Sequence, residues 1–263
     1  MTTQSATVLI TGASSGIGEA LAWLFAEEGY QLVLVARGEE KLNQLAAALQ
    51  KEFGVVAKVH AADLSVEGSA AKLAAALQRS KTSVDILVNN AGILERGMFA
   101  EMPVAAHRGM VQLNIAGFTD MLAHFLPPMI ERGSGRVLNV ASISAFLPVP
   151  TLATYAATKA YVLSLSESLV EELRGTGVTL TALCPGFVAT NMLENAQAQG
   201  QTRVPDLLVS DAKMVAREAY RGCMKGTAVV VPGSLNLVTT LSARATPKWL
   251  VRRLTGLIGH LAP

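Results

Sequence analysis

Three side chains near the middle of the chain have the types and spacing for proton transfer. Tyr155 and Lys159 stand four residues apart, and Ser142 lies thirteen residues before the tyrosine. Four residues is about one helical turn, so a helix sets the phenol and the ammonium on one face. A free tyrosine has a pKa near ~10 and is a poor acid or base at neutral pH. A neighbouring cation favours the phenolate and lowers that value, which moves the tyrosine toward general acid–base work. Ser142 closes the apolar run 137–141, which reads as a buried strand. Its hydroxyl is then expected at a strand's carboxyl end, where open α/β sheets bind ligands.

The start of the chain supplies an element that would hold a second reactant. Thr7-Val8-Leu9-Ile10 reads as a short buried strand. It runs into Thr11-Gly12-Ala13-Ser14-Ser15-Gly16-Ile17-Gly18 and then into the amphipathic run 19–28. Strand, glycine-rich turn and helix together form a pyrophosphate cradle. Glycines permit the tight turn and close backbone approach, and the helix N-terminus offers free N–H groups. The glycine spacing is G-x-x-x-G-x-G, distinct from the G-x-G-x-x-G dinucleotide fingerprint.

These segments resemble the short-chain dehydrogenase/reductase family over nearly the whole chain. The resemblance is carried by 11–18, Asn89-Asn90-Ala91-Gly92, Asn114, Ser142, Tyr155 with Lys159, and Pro185-Gly186, in the family's order and spacing. It implies a catalytic tetrad of Asn114, Ser142, Tyr155 and Lys159, with Asn114 holding a water in a proton relay. A kink or helix cap is the alternative for Asn114. In the glycine turn it implies cofactor contacts from Gly12, Ser14, Ser15, Gly16, Ile17 and Gly18. Further contacts fall on Arg37, on Asp63 with Leu64, and on Asn90, Ala91 and Gly92. Asn114, Tyr155 and Lys159 serve the cofactor as well, as do Pro185, Gly186, Val188 and Thr190. Asp63 reads either as an adenine contact or as an N-cap of the next helix, or as both.

The end of the second strand bears on the choice of nicotinamide. NAD-preferring members carry an acidic residue there to bind the ribose 2′-hydroxyl. Here Ala36 and Arg37 occupy that place. A guanidinium pairs with a 2′-phosphate, and Ser14 adds a hydroxyl, so NADP is the expected cofactor. In the reductive direction Tyr155 would protonate the developing alkoxide while Ser142 hydrogen-bonds the same oxygen.

Strand-like runs fall near 6–11, 31–36, 55–61, 84–89, 135–141, 177–183 and 227–231, with helix-like stretches between them. That alternation predicts right-handed crossovers and a doubly wound, Rossmann-like parallel α/β sheet of about seven strands. The family order 3-2-1-4-5-6-7 is implied by the resemblance. One domain over 1–263 is expected, because no linker or repeat interrupts the chain. The net charge of +2 and the lack of a basic, aromatic-interleaved run argue against a nucleic-acid surface. Cys184 and Cys223 lack metal-ligand spacing, the four histidines are scattered, and no metal is expected. No charged leader and no apolar run of about 18 residues is visible, so a cytoplasmic protein with no spanning helix is expected.

Beyond Pro185-Gly186, residues 187–212 resemble the family's mobile substrate loop. Thr190 would meet the cofactor carboxamide. Met192 and Leu193, together with Phe146, Leu147, Val149 and Leu152, either line an apolar substrate pocket or pack in the core. Arg203 is the arginine of this loop that stands out as a carboxylate clamp. The tail 234–263 carries Leu250, Leu254, Leu257, Ile258 and Leu261 on one helical stripe beside Lys248, Arg252 and Arg253. Such a helix packs on the protein's own body or on a partner subunit, or lies on an anionic membrane surface. The resemblance also implies a homodimer or homotetramer. The expected function is NADP(H)-dependent hydride transfer between nicotinamide and a hydrophobic ketone or secondary alcohol, of 3-oxoacyl or steroid-like type. A non-catalytic dinucleotide sensor and a same-fold epimerase or dehydratase are the alternatives.

Overall fold

The computed structural model describes residues 6–189, 209–233 and 236. The strands β1 (Thr7–Thr11), β2 (Gln31–Ala36), β3 (Ala57–Ala61), β4 (Ile86–Asn89), β5 (Gly135–Val140) and β6 (Val178–Leu183) are followed by two-residue strands. These are β7 (Phe187–Val188), β8 (Val209–Ser210) and β9 (Val229–Val230). Between them run the helices α1 (Gly16–Glu27), α2 (Glu39–Phe53), α3 (Ser69–Arg79), α4 (Val104–Val111), α5 (Phe118–Glu131), α6 (Ala153–Glu172) and α7 (Ala212–Lys225). A seven-stranded sheet has the order β3-β2-β1-β4-β5-β6-β9, every pair parallel.

Strand alternation decides which helix lies on which face. Leu9, Val33, Val35, Leu87, Val137 and Leu180 point to one side, where Leu73 of α3, Met121 of α5 and Val162 of α6 cover them. Val8, Ile10, Leu32, Leu34, Val88 and Leu138 point to the other, against Leu21 and Phe25 of α1, Leu42 of α2 and Val215 of α7. Both faces are covered, which is why the strands read as continuous apolar runs. The doubly wound expectation therefore holds, with β9 as the seventh strand.

Strand edges are tighter than the sequence suggests. The runs expected at 55–61, 84–89 and 227–231 pair only over Ala57–Ala61, Ile86–Asn89 and Val229–Val230. At the first, the Gln31 side chain takes the Val56 N–H at 2.6 Å. At the second, the Asp85 carboxylate takes the Thr7 N–H at 2.8 Å. Side chains there take N–H groups beside the main-chain bonds Leu32 N–H to Val56 O and Asp85 N–H to Thr7 O, and apolar character alone does not report that. Among the described residues no helix is long and apolar enough to cross a membrane. Thr190, Met192, Leu193, Arg203 and the tail stripe lie outside the described residues. The base of the loop is described: β7 pairs in parallel with β8, and Ala189 N–H reaches Ser210 O at 3.0 Å.

α1 begins inside the glycine turn, so its first residues pack directly under it. A Cβ on Gly18 would overlap the Gly12 carbonyl oxygen and stand 2.6 Å from Asn90 Nδ2. Helix propensity favours alanine over glycine by about 1 kcal/mol, but overlap with rigid backbone costs about 1–3 kcal/mol. Gly18→Ala is therefore expected to lower the urea unfolding free energy; equal or greater stability would show that α1 can back away from the turn.

Candidate active site

Strand order reverses at β1, whose neighbours are β2 on one side and β4 on the other. A crevice opens beyond the carboxyl ends at such a point. Here it is a cleft of about 740 Å³ that runs along the ends of six strands. Its walls include Gly12, Ser14, Ser15, Gly16 and Ile17 after β1, and Ala36 with Arg37 after β2. Asp63 and Leu64 follow β3, Asn90 to Gly92 follow β4, Ser142 follows β5, and Pro185 with Gly186 follow β6. Val188 of β7 and the side chains Tyr155 and Lys159 of α6 complete the same surface.

The turn after β1 is held from below. Thr11 Oγ1 accepts the N–H groups of Asn90 and Ala91 at 2.9 Å each and donates to Val88 O at 3.3 Å. Asn90 Nδ2 donates to Thr11 O at 2.9 Å and Gly12 O at 3.3 Å. Gly12 and Gly16 have φ of +65° and +59°, the left-handed region that side chains disfavour. Gly18 does not line the cleft, and its role is the close packing described above.

The proton-transfer trio meets as its spacing predicts. Tyr155 and Lys159 lie on one face of α6, and both are buried. Ser142 lies in extended backbone just past β5, where its hydroxyl caps the short 3₁₀ turn Ile143–Phe146 by accepting Ser144 N–H at 3.1 Å. Lys159 Nζ donates to Val140 O at 2.8 Å and stands 5.8 Å from the centre of the Tyr155 ring.

The electrostatics differ from the sequence expectation. Lys159 does not bring Tyr155 down. Burial pushes the phenol up to about 12, with the Ser142 hydroxyl acting in the opposite direction. Burial also depresses Lys159 to about 8, offset in part by Cys184. Removal from water penalises the charged form of each group.

Asn114 does not face the cleft. It sits in a π-helical turn, Gln112–Gly117, that interrupts the passage from α4 to α5. Its Nδ2 donates to Ile93 O at 2.9 Å and to Thr158 Oγ1 at 3.1 Å, and its Oδ1 accepts Ile93 N–H at 2.9 Å. A Cβ on Gly92 would stand 3.2 Å from Asn114 Oδ1 and 3.4 Å from Lys159 Nζ, so Asn114 backs the stretch of wall that Gly92 and Lys159 line.

Asp63 is not an N-cap, because α3 starts at Ser69 with Gly68 before it. Its Oδ1 accepts the N–H and the hydroxyl of Ser65 at 2.9 and 2.6 Å. Those bonds, with a smaller pull from Arg37, hold the carboxyl below its ordinary range. Leu64 lines the cleft but also belongs to the core cluster of α3 and α5.

At the other end, Leu147, Val149 and Leu152 line the cleft as expected, whereas Phe146 packs against the core. Sequence reasoning missed Ile93, Leu94, Arg96, Ile143, Ser144 and Lys41. Lys41 carries a readable signal, since it is a second cation in the first turn of α2, four positions after Arg37. Cys184 and Cys223 are buried thiols.

The Lys159 shift has a consequence for stability. Its value falls from 10.5 in the unfolded chain to about 8 in the fold, so between those values the unfolded state holds more of the proton. Stability from this group rises with pH across that window. Tyr155 acts oppositely, but only from 10.0 upward. Urea unfolding at about pH 8 and about pH 10 is expected to show a wild-type gain relative to Lys159→Met. Parallel pH profiles would contradict the burial of an ionisable lysine.

Residues 6–201 match the model of the short chain dehydrogenase family. An uncharacterized oxidoreductase of Staphylococcus epidermidis is 35% identical over 208 residues, which span 79% of this chain and 89% of that protein. A short-chain dehydrogenase from Sphingobium yanoikuyae, solved in complex with NADPH, is 32% identical with a TM-score of 0.80, covering 91% of this chain and 94% of that one. A solved 7β-hydroxysteroid dehydrogenase is 27% identical with a TM-score of 0.84, covering 95% and 96%. The parallel sheet, the glycine turn at its switch point and these matches together place the chain in the short-chain dehydrogenase family of oxidoreductases.

Proposed function

We propose that this protein is an NADP(H)-dependent oxidoreductase acting on a hydrophobic ketone or the matching secondary alcohol. The observation that carries the reading is a single cleft with a glycine cradle and cations at one end and Ser142, Tyr155 and Lys159 deeper in. The glycine turn at the N-terminus of α1 suits a pyrophosphate, and Gly12, Ser14, Ser15, Gly16 and Ile17 all line the cleft there. Arg37 and Lys41 beside the end of β2 suit a 2′-phosphate, and the NADPH held by the Sphingobium relative supports that choice.

Nicotinamide, when bound, supplies or accepts the hydride. The chain's own groups handle the oxygen and its proton. Tyr155 Oη delivers a proton to the carbonyl oxygen as negative charge develops there. The phenol is protonated at neutral pH, the form that reduction requires, and burial favours that form further. Ser142 Oγ donates to the same oxygen and fixes its position. Lys159 is anchored on Val140 O, and its charge counters the phenolate left after transfer. Asn114 acts at one remove, holding Ile93 and Thr158 and thereby the wall against which Lys159 rests. The apolar side chains Leu147, Val149 and Leu152 favour a hydrophobic substrate. The assembly is proposed to be a homodimer or homotetramer of one-domain chains.

Two measurements test the reading. Tyr155→Phe is expected to bind NADPH within a few-fold of wild type and to lose roughly 10²–10⁴-fold in ketone turnover. Retained turnover would remove Tyr155 from the mechanism. By calorimetry, wild type is expected to prefer NADPH to NADH, and Arg37→Ala to weaken NADPH binding roughly ten- to hundred-fold while NADH changes little. Equal binding of both cofactors by wild type would shift the assignment to NAD or to dual use.

A further inference from the structure

Arg96 is out of character with its surroundings. It lines the cleft beside Leu94, Leu147, Val149 and Leu152, away from the strand-β2 end that Arg37 and Lys41 flank. Partial burial pushes its pKa down, with no carboxylate acting on it in the other direction. The guanidinium is held in place on one edge only. Nε donates to Thr151 Oγ1 at 3.0 Å, and the next residue's N–H, that of Gly97, donates to Thr151 O at 2.9 Å.

Thr151 makes this double contact with φ of +66°. A β-branched residue is rare in the left-handed region and persists there only where its surroundings require it. A second brace holds the same segment to the start of α6. His107 Nδ1 is 2.7 Å from Thr154 Oγ1, and His107 Nε2 is 3.2 Å from Phe99 O.

With Nε occupied, Nη1 and Nη2 have no protein acceptor among the described residues, and neither ion pair found there includes Arg96. Those two nitrogens form the end-on fork that matches two carboxylate oxygens. A partly dehydrated guanidinium fork gains from an anion that completes its hydrogen bonding.

We infer that Arg96 receives a carboxylate of the substrate, so that the substrate is an apolar ketone or alcohol with an anionic group remote from the reacting carbon. The inference rests on the proposed ketone-reductase reading and narrows its substrate class. Arg96 is then a specificity-determining residue, and Thr151 is the residue that aims it.

The test uses benzoyl-alkanoates of increasing chain length, each paired with its methyl ester, reduced with NADPH by wild type, Arg96→Met and Arg96→Lys. The readout is the acid-to-ester ratio of kcat/KM, in which general damage to the fold cancels. At one favoured chain length the wild-type ratio is expected to reach roughly ten- to hundred-fold, carried mainly by KM. It is expected to fall to near one in Arg96→Met and to be intermediate in Arg96→Lys, which lacks the planar fork. A wild-type ratio near one at every length, or a preference that survives Arg96→Met, would overturn the inference. Should the protein reduce none of these ketones, the reductase reading is what has failed. Calorimetric titration of the NADPH-mixed protein with the same acids and esters then decides Arg96 separately. Acid binding lost in Arg96→Met supports the inference, and equal acid and ester affinity overturns it.

Discussion

The Thr11 hydroxyl at the end of the first strand is the interaction on which the rest of this architecture depends. It lies at the point where the sheet's order reverses, fully buried, and it takes two backbone N–H groups of the β4 loop. Asn90 returns the connection with its amide to Thr11 O and Gly12 O. Two crossover halves, which also share the core clusters on both faces of the sheet, are thereby joined directly at the floor of the cleft. The glycine turn can lie that low only because Gly12 and Gly18 carry no side chain into the space Asn90 uses. The glycine turn after β1 and the loop after β4 are consequently tied together at the cleft floor.

Burial is the second organising constraint, and it acts on charge. A phenol raised to about 12 and an ammonium lowered to about 8 are both displaced toward their neutral forms. The pair is therefore poised by desolvation, with the Lys159 ammonium held on a carbonyl at the end of β5. Such a site responds strongly to any charge brought into it, because few water dipoles are present to screen that charge. The cleft's two ends differ in the same terms. Cations flank the end beside β2, and apolar residues around a single braced guanidinium flank the other.

Patterns confined to one element were legible in the sequence. The run of apolar strands, the glycine turn and the Tyr155–Lys159 pair each depend on local spacing, and each forms as expected. Where a residue's behaviour depends on a distant partner, the reading was weaker. Asp63 read as an adenine contact, a helix cap or both, and the cap is ruled out because the chain makes a further turn before α3 begins at Ser69 while the carboxylate bonds Ser65. For Phe146 the sequence left pocket lining and core packing open, and only the fold places it against the core. The direction of the Tyr155 shift was misread for the same reason. Spacing reports that a lysine is near, but not how much water the fold removes.

The sequence by itself determined the fold class, the strand order implied by its family motifs, and the chemical types gathered for proton transfer. The fold class and the Tyr155–Lys159 spacing follow from periodicity and short-range geometry, and the strand order follows from the family resemblance. Tertiary structure alone decided the electrostatic state of Tyr155 and Lys159, the commitment of Asn114 to Ile93 and Thr158, and the exposure of Arg96 to the cleft. Arg96 reaches its brace, Thr151, across 55 positions of chain, and Asn114 reaches Thr158 across 44. Contacts at such separations exist only once the sheet has brought its strand ends together, because burial and partner are properties of the packed molecule and not of the chain.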